Sequence, residues 1–330
     1  MRVAVLGATG LVGRTMLELL AACPWVTGAP LALASPRSAG RRLPWRGGEL
    51  ACRAVDEASF ADVDLALFSA GGGPSRRWAP VAAAAGAVVI DNSSAWRQDP
   101  AIPLVVPEIN GQLVDGLRAG IVANPNCSTI QVAQAVAPLE RAWGLHEVDV
   151  TTFQAVSGAG QKGVAQLERE SAGEPAGDGP FPRPIARNVV PAIGAALPDG
   201  SFEEEAKVQR ELRKILARDE ALRVTCTAVR VPVVNAHSAA VRVVCAVPVT
   251  PAAAAAALAA WPGVEVAADP HAFATPREID GRTVVHVGRL RQDPGDPRAL
   301  LCWVVADNLL KGAAWNAVQI AERLATGVRA

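Results

Sequence analysis

The 330-residue chain is half hydrophobic and carries 32 basic against 32 acidic side chains, a formal net charge of zero. At about 100–200 residues per domain, that length suggests two domains with full cores, and the lack of a basic block argues against nucleic acid as a partner. Cysteines at 23, 52, 127, 226, 245 and 302 show no zinc-type spacing, so no metal is expected and they read as thiols of a reducing compartment. No apolar run reaches the ~18 residues that a membrane span needs. Met1–Gly10 lacks the features of a signal peptide, and the expected location is the cytoplasm.

In chain order, the apolar run Val3–Leu6 ends in Gly7-Ala-Thr-Gly-Leu-Val-Gly13, followed by Met16, Leu17, Leu19 and Leu20 at helical spacing. Strand, glycine turn and helix follow one another. Further apolar strands are expected at Leu31–Ala34, Leu65–Ser69, Val88–Ile90 and Leu104–Val106. Strands without a polar face, alternating with helices, imply a Rossmann-like α/β domain. From about residue 126 the texture changes. Val148–Ala155, Thr225–Val234, Ala239–Val249, Val264–Val266, Thr283–Leu290 and Leu300–Ala306 read as β, Phe202–Ala217 as an amphipathic helix, and Asn308–Leu324 as a helix. Thr250 and Pro251 suit the start of an alanine-rich helix over Ala252–Ala260, and Ala172–Pro184 is a Gly/Pro-rich loop. The expectation is a dinucleotide-binding domain over 1–125 and an α+β domain over 126–307 with a large mixed, mostly antiparallel sheet.

The glycines at 7, 10 and 13 allow a tight turn and close approach of a pyrophosphate to a helix N-terminus; Thr9, Leu11 and Val12 complete that turn. After the second strand, Ala34-Ser-Pro-Arg-Ser38 offers Arg37 and Ser38 but no carboxylate. A guanidinium and hydroxyls favour a 2′-phosphate, hence NADP(H). Asn124-Pro-Asn-Cys127-Ser-Thr precedes an apolar helical pattern, so Cys127 sits at a helix N-terminus. The local dipole there favours thiolate and the N–H groups can hold an oxyanion. A thiolate enzyme working on aldehydes needs a nearby acid or base. The histidines are 146, 237, 271 and 286; spacing does not separate His237 from His286.

The chain resembles the aspartate-semialdehyde dehydrogenase family over nearly its full length. The resemblance is carried by Gly7–Gly13, Asp91-Asn-Ser-Ser-Ala-Trp-Arg97, Asn124-Pro-Asn-Cys-Ser-Thr-Ile-Gln131, Gln154, Ser157-Gly-Ala-Gly160, Glu203-Glu-Glu-Ala-Lys207, Arg230 through Ser238, and Asp307-Asn-Leu-Leu-Lys-Gly-Ala-Ala314 with Asn316–Glu322. It implies Cys127 as nucleophile, His237 as acid/base and Gln154 as a positioning group. Arg230 would clamp the substrate α-carboxylate, Glu204 would meet its ammonium, and Arg97 and Lys207 would hold phosphate, with Asn126 beside the substrate. Ser157, Gly158, Gly160, Asn308 and Gln319 would serve the cofactor. The resemblance further implies that 308–330 completes the dinucleotide-binding domain and that 126–307 is the catalytic and dimerisation domain. The implied activity is reversible, NADPH-dependent reduction of L-aspartyl 4-phosphate to the semialdehyde in lysine, threonine and methionine biosynthesis. The expected partners are the small-molecule substrate, inorganic phosphate and a second copy or three further copies of the chain.

Two alternatives stand beside this reading: an N-acetylglutamyl-phosphate reductase, which would give Glu204 no ammonium to meet, and a non-catalytic relative of the same fold. Glu204 and Lys207 also share a helix face as any surface ion pair would. The family pattern Gly-His-Ser-Glu is Ala236-His-Ser-Ala239 here, and its usual Phe is Trp96.

Overall fold

A computed structural model describes residues 1–327. The chain divides into two compact units, Met1–Asn126 with the segment from Ala313 onward, and Cys127–Gly312.

In the first unit β1 (Val3–Leu6), β2 (Leu31–Ala34), β5 (Arg53–Ala54), β6 (Leu65–Phe68), β7 (Val88–Asp91) and β8 (Gly120–Ala123) form a parallel sheet in the order β5-β2-β1-β6-β7-β8. β1, β6 and β7 are buried at every residue, as helices on both faces demand. Val3 and Val5 join a core with Met16, Leu17 and Leu20 of α1 (Leu11–Ala22) and Ala317, Val318 and Ile320 of α9 (Trp315–Thr326). Ala4 and Leu6 join the opposite core with Trp78, Ala79 and Ala82 of α2 (Gly72–Ala84).

Two sequence expectations change here. Leu104–Val106 is not a strand; Leu104 makes a single parallel bridge to Ala123, and β8 takes the edge. A hairpin of β3 (Arg42–Trp45) and β4 (Gly48–Ala51) was not expected. It turns on Arg46 and Gly47, both at positive φ (42° and 79°), the geometry that two-residue hairpin loops require.

The second unit carries β9 (Leu145–Gln154), β10 (Arg223–Arg230), β11 (His237–Cys245), β12 (Val264–Val266), β13 (Val285–Asp293) and β14 (Asp296–Ala306). Their order is β10-β9-β11-β14-β13-β12, antiparallel in the middle and parallel at both ends. Along β9, Val148, Val150, Thr152 and Gln154 are buried while Glu147, Asp149, Thr151 and Phe153 are half-exposed. That alternation puts one face under helices and leaves the other open. The helices include α4 (Cys127–Trp143), α5 (Gln161–Ser171), α6 (Glu203–Ile215), α7 (Pro251–Ala259) and the short α8 (Pro276–Ile279), while the first unit also has the short α3 (Pro107–Asn110). Thr250 caps α7 by accepting from the Ala253 N–H (3.2 Å). The C-terminal helix starts at Trp315 rather than Asn308: Asp307 Oδ1 takes the N–H groups of Leu309 and Leu310, and a wide turn over Leu310–Ala314 follows. Among the described residues no helix is long and apolar enough to cross a membrane.

Candidate active site

The middle of the second unit's sheet gathers the candidate chemistry at one end. Gln154 and Arg230 close the parallel strands β9 and β10 in register with each other. His237 opens the antiparallel β11 on the other side of β9. The connection from Val231 to Ala236 therefore crosses the end of β9. It is fixed there by bonds from Val156 N–H to Val233 O (2.8 Å) and from Ser157 N–H to Val234 O (3.1 Å).

His237 is fully buried, and its Nδ1 accepts the Ala155 N–H at 3.0 Å. Burial first, and then the Arg230 charge, push its pKa well below the ordinary value. The ring is neutral at pH 7, and because Nδ1 accepts, its proton sits on Nε2. Nε2 has no hydrogen-bond partner among the described residues. Arg230 is buried too; its Nη1 donates to Ala155 O (2.6 Å), while Nε has no hydrogen-bond partner among the described residues. Burial lowers the guanidinium pKa, opposed by the charges of Glu204 and Cys127. Gly158 leaves room for both side chains: a Cβ there would stand 3.0 Å from Arg230 Nη1 and 3.1 Å from His237 Nε2. Buried polar atoms without partners are costly, about 1–3 kcal/mol each, so His237 Nε2 beside the Arg230 guanidinium at Gly158 marks a place built for a polar ligand.

Cys127 is the first residue of α4 and is partly accessible, as its position before the apolar helix predicts. Gln154 Nε2 donates to Thr152 Oγ1 (3.2 Å). Glu204 and Lys207 pair on α6 at 3.4 Å with the glutamate buried, so this is no plain surface pair. The neighbouring Glu205 serves structure, accepting the N–H groups of Phe202 (2.8 Å) and Ala228 (3.0 Å). Gly160 starts α5 at φ +75°. Asn308 belongs to the second unit and to no helix. It donates to Ser157 Oγ (2.9 Å) and accepts the Ala236 N–H (2.9 Å), tying the histidine loop to Ser157. Sequence reading missed two members of this tie: Asn235, bonded to Ser157 (3.0 Å), and Asp307, which takes an Asn235 amide N–H (2.9 Å). Their signal in the sequence is that both lie inside family-like stretches, Arg230–Ser238 and Asp307–Ala314. His286 lies half-buried on β13, which β14 separates from β11; geometry thus separates it from His237.

In the first unit, Arg97 is buried beyond β7, donating to Asn124 O and Asn92 O (both 2.9 Å). Asn126, also buried, ends this unit. Gln319 on α9 donates to Glu108 (2.8 Å). The glycine turn lies between the C-terminal ends of β1 and β6, where the strand order reverses, the usual place for a dinucleotide. Gly7 has φ +88°, and a Cβ there would stand 2.3 Å from Ser69 O; one at Gly13 would stand 2.1 Å from Gly7 O. Only glycine fits either position. α1 starts there without a side-chain cap, leaving the N–H groups of Leu11, Val12 and Gly13 to face an anion. A cavity of about 1030 Å³ is lined by Gly7, Thr9, Gly10, Arg37, Arg77 and Trp78, with Ser38 next along the chain. This donor set fits a dinucleotide. Asp56 and Glu57 line it as well. Carboxylates do stand in the cavity, brought by the segment after β5 rather than by β2; Asp56 is engaged with the Ser59 hydroxyl (2.7 Å).

Comparison with known proteins gives the arrangement its kin. Residues 2–116 match the family described as semialdehyde dehydrogenase, NAD binding domain, and residues 136–311 match semialdehyde dehydrogenase, dimerisation domain. The chain is 45% identical to aspartate-semialdehyde dehydrogenase of Aquifex aeolicus over 98% of its own length and 97% of that protein. For the Synechocystis enzyme the figures are 44%, 98% and 97%. The crystal structure of Vibrio cholerae aspartate-semialdehyde dehydrogenase II complexed with ASA superposes with a TM-score of 0.93 at 42% identity, covering 98% of this chain and 97% of that one. The chain belongs to the aspartate-semialdehyde dehydrogenase family.

Proposed function

We propose that the chain catalyses the reversible, phosphate-linked interconversion of L-aspartyl 4-phosphate and L-aspartate 4-semialdehyde with NADP(H), through a thioester on Cys127. The observation that carries this reading is the approach of His237 Nε2, without a hydrogen-bond partner among the described residues, and of Nη1 of the Arg230 guanidinium to the same point at Gly158, in the unit that opens with Cys127. The relatives' shared name supports the same substrate.

Cys127 thiolate attacks C4 of the acyl phosphate, the bond from C4 to the phosphate oxygen breaks, and inorganic phosphate leaves with Arg97 and Lys207 balancing its charge. Arg230 takes the α-carboxylate with its planar fork; Glu204 takes the ammonium. Gln154 positions the acyl group, and Asn126 flanks it. Bound NADP(H) supplies or accepts the hydride. The thiohemiacetal then expels Cys127 and releases the aldehyde. His237, with its proton on Nε2, donates a hydrogen bond to the oxygen that gains charge. Taking up a proton at Nε2 requires the other tautomer, whose Nδ1–H cannot coexist with the Ala155 N–H bond.

The cofactor is held by the turn Gly7, Thr9, Gly10, Leu11, Val12 and Gly13. Arg37 and Ser38, with Arg77, meet the 2′-phosphate, which favours NADP over NAD. Ser157, Gly158, Gly160, Asn308 and Gln319 serve the same cofactor. The open sheet face, with Phe153 and Trp303 in contact (5.6 Å between rings), pairs copies of the chain as a homodimer or homotetramer. The cell would use the step in cytoplasmic lysine, threonine and methionine synthesis.

Phosphate-dependent reduction of NADP by purified protein given aspartate semialdehyde tests the reading, with Cys127→Ala as control. Turnover that disappears in the variant supports it; equal turnover in the variant, or none in folded wild type, overturns it.

A further inference from the structure

Between α5 and α6 the chain runs through residues 172–202 without a helix or an extended strand, yet it is tied down repeatedly. Glu170 Oε2 accepts the N–H groups of Ile185 (2.5 Å) and Ala186 (2.8 Å), and its Oε1 takes Gln166 Nε2 (2.7 Å). Gln166 Oε1 accepts the Phe181 N–H (3.3 Å). Two glycines make space for this clasp: a Cβ on Gly179 would stand 1.8 Å from Gln166 Oε1, and one on Gly163 would stand 3.0 Å from Phe181 Cζ. The outcome is a phenyl ring over Arg230, its centroid 5.6 Å from the guanidinium carbon. Further along, Val190 exchanges both backbone hydrogen bonds with Arg230 (2.8 and 2.9 Å). Ile193 O then receives the Glu204 N–H (3.3 Å). One excursion thus touches the guanidinium and backbone of Arg230 and seats Glu204.

We propose that Phe181 is a positioning residue for Arg230, delivered by the Glu170–Gln166 clasp, and that it sets how tightly the α-carboxylate end of the substrate is held. This rests on the reading of Arg230 as the carboxylate clamp. Arg230 is held at Nη1 by Ala155 O, and Nε, without a partner among the described residues, can meet a ligand. A ring stacked on the guanidinium limits rotation of the fork and keeps water from that face, which strengthens a charge-assisted bond to a carboxylate.

The test is steady-state kinetics with aspartate semialdehyde, phosphate and NADP varied separately, on wild type, Phe181→Ala, Phe181→Leu, Glu170→Gln, Arg230→Lys and the Phe181→Ala/Arg230→Lys double variant. Phe181→Ala is expected to raise KM for aspartate semialdehyde about threefold to thirtyfold. KM for phosphate and NADP, and kcat, should stay within about twofold. Phe181→Leu should recover part of the loss and Glu170→Gln should move KM the same way. In the Arg230→Lys background the Phe181 effect should largely vanish. An unchanged KM in Phe181→Ala, or the same fold-loss with and without Arg230, overturns the proposal. If Phe181→Ala does not fold, Phe181→Leu and Glu170→Gln decide by the same readout: a raised KM supports the proposal and an unchanged one overturns it. Folded wild type without phosphate-dependent turnover defeats the functional reading and this proposal with it; active wild type with an indifferent Phe181 defeats this proposal alone.

Discussion

Gly312 lies directly against Cys127: a Cβ at 312 would be 3.0 Å from the cysteine Cβ and 3.4 Å from its Cα. The proposed nucleophile therefore sits against a residue far along the chain that has no side chain to offer. Gly312→Ala forces the start of α4 to give by a few tenths of an ångström. Overpacking of this kind costs about 1–3 kcal/mol, and small misplacement of reacting groups costs up to about 100-fold in rate. The expected result is a kcat loss of about tenfold or more in a protein that still folds, read by turnover alongside a thermal melt. Full activity would mean that the contact relaxes harmlessly.

Position 236 carries three effects that oppose one another. Ala236 has φ +67°, where a non-glycine residue costs about 1–2 kcal/mol. Its methyl group is buried against Ala274, Ile279 and Val305, and a buried methyl is worth about 0.8 kcal/mol. Glycine would also lose about 0.4–1 kcal/mol through its freer unfolded chain. The three nearly cancel, so Ala236→Gly is expected to change stability by less than about 1 kcal/mol. Ala236→Val adds a β-branch to the same backbone and should cost more than about 2 kcal/mol. Chemical denaturation of both variants checks the ordering.

His237 makes a pH prediction with a definite sign. Its folded pKa lies well below the ordinary 6.5, so the unfolded chain binds the proton more readily. Its share of stability is fully present above about pH 6.5 and is lost as pH falls toward the lowered folded value. Urea midpoints of wild type should therefore drop from pH 7 to pH 5 more steeply than those of His237→Gln. In catalysis, His237→Gln keeps an N–H donor and should lose less than His237→Ala, whose loss is expected at about 100-fold to 10,000-fold. Equal losses in both would argue that proton transfer, rather than donation of a hydrogen bond, is what the ring provides.

Arg37 tests cofactor choice. It lies exposed on the rim of a cavity that also holds Asp56 and Glu57. If it meets the 2′-phosphate, Arg37→Ala should raise KM for NADP by about tenfold to 100-fold, the worth of one charged hydrogen bond, and barely move KM for NAD. Equal shifts for both cofactors would remove Arg37 from the discrimination.

What could be read from the sequence followed from local physics. The buried β1, the glycine turn and α1 are adjacent in the chain, and sterics alone dictate glycine at 7 and 13. Cys127 at a helix start and the Glu204–Lys207 spacing are equally local. The failures were non-local. Leu104–Val106 and Gly120–Ala123 are both short apolar runs, and only pairing with β7 makes a strand of the second. Arg46 at positive φ gives no composition signal for a hairpin. His237 could not be told from His286 because strand order, not spacing, puts one beside Arg230. Phe181 looked like one residue of a Gly/Pro-rich loop, since its meaning lies in a clasp made fifteen residues earlier at Gln166.

The first unit's core is closed by Ala317, Val318, Ile320 and Ala321 of α9, packed with Met16, Leu17 and Leu20 of α1. During synthesis the glycine turn thus emerges from the ribosome roughly 300 residues before the helix that completes its own core. The nascent first unit carries an uncovered apolar face throughout that interval, while the second unit, continuous in sequence, can finish folding ahead of it. Chains stalled or truncated ahead of Trp315 are the ones on which chaperones and proteases should act.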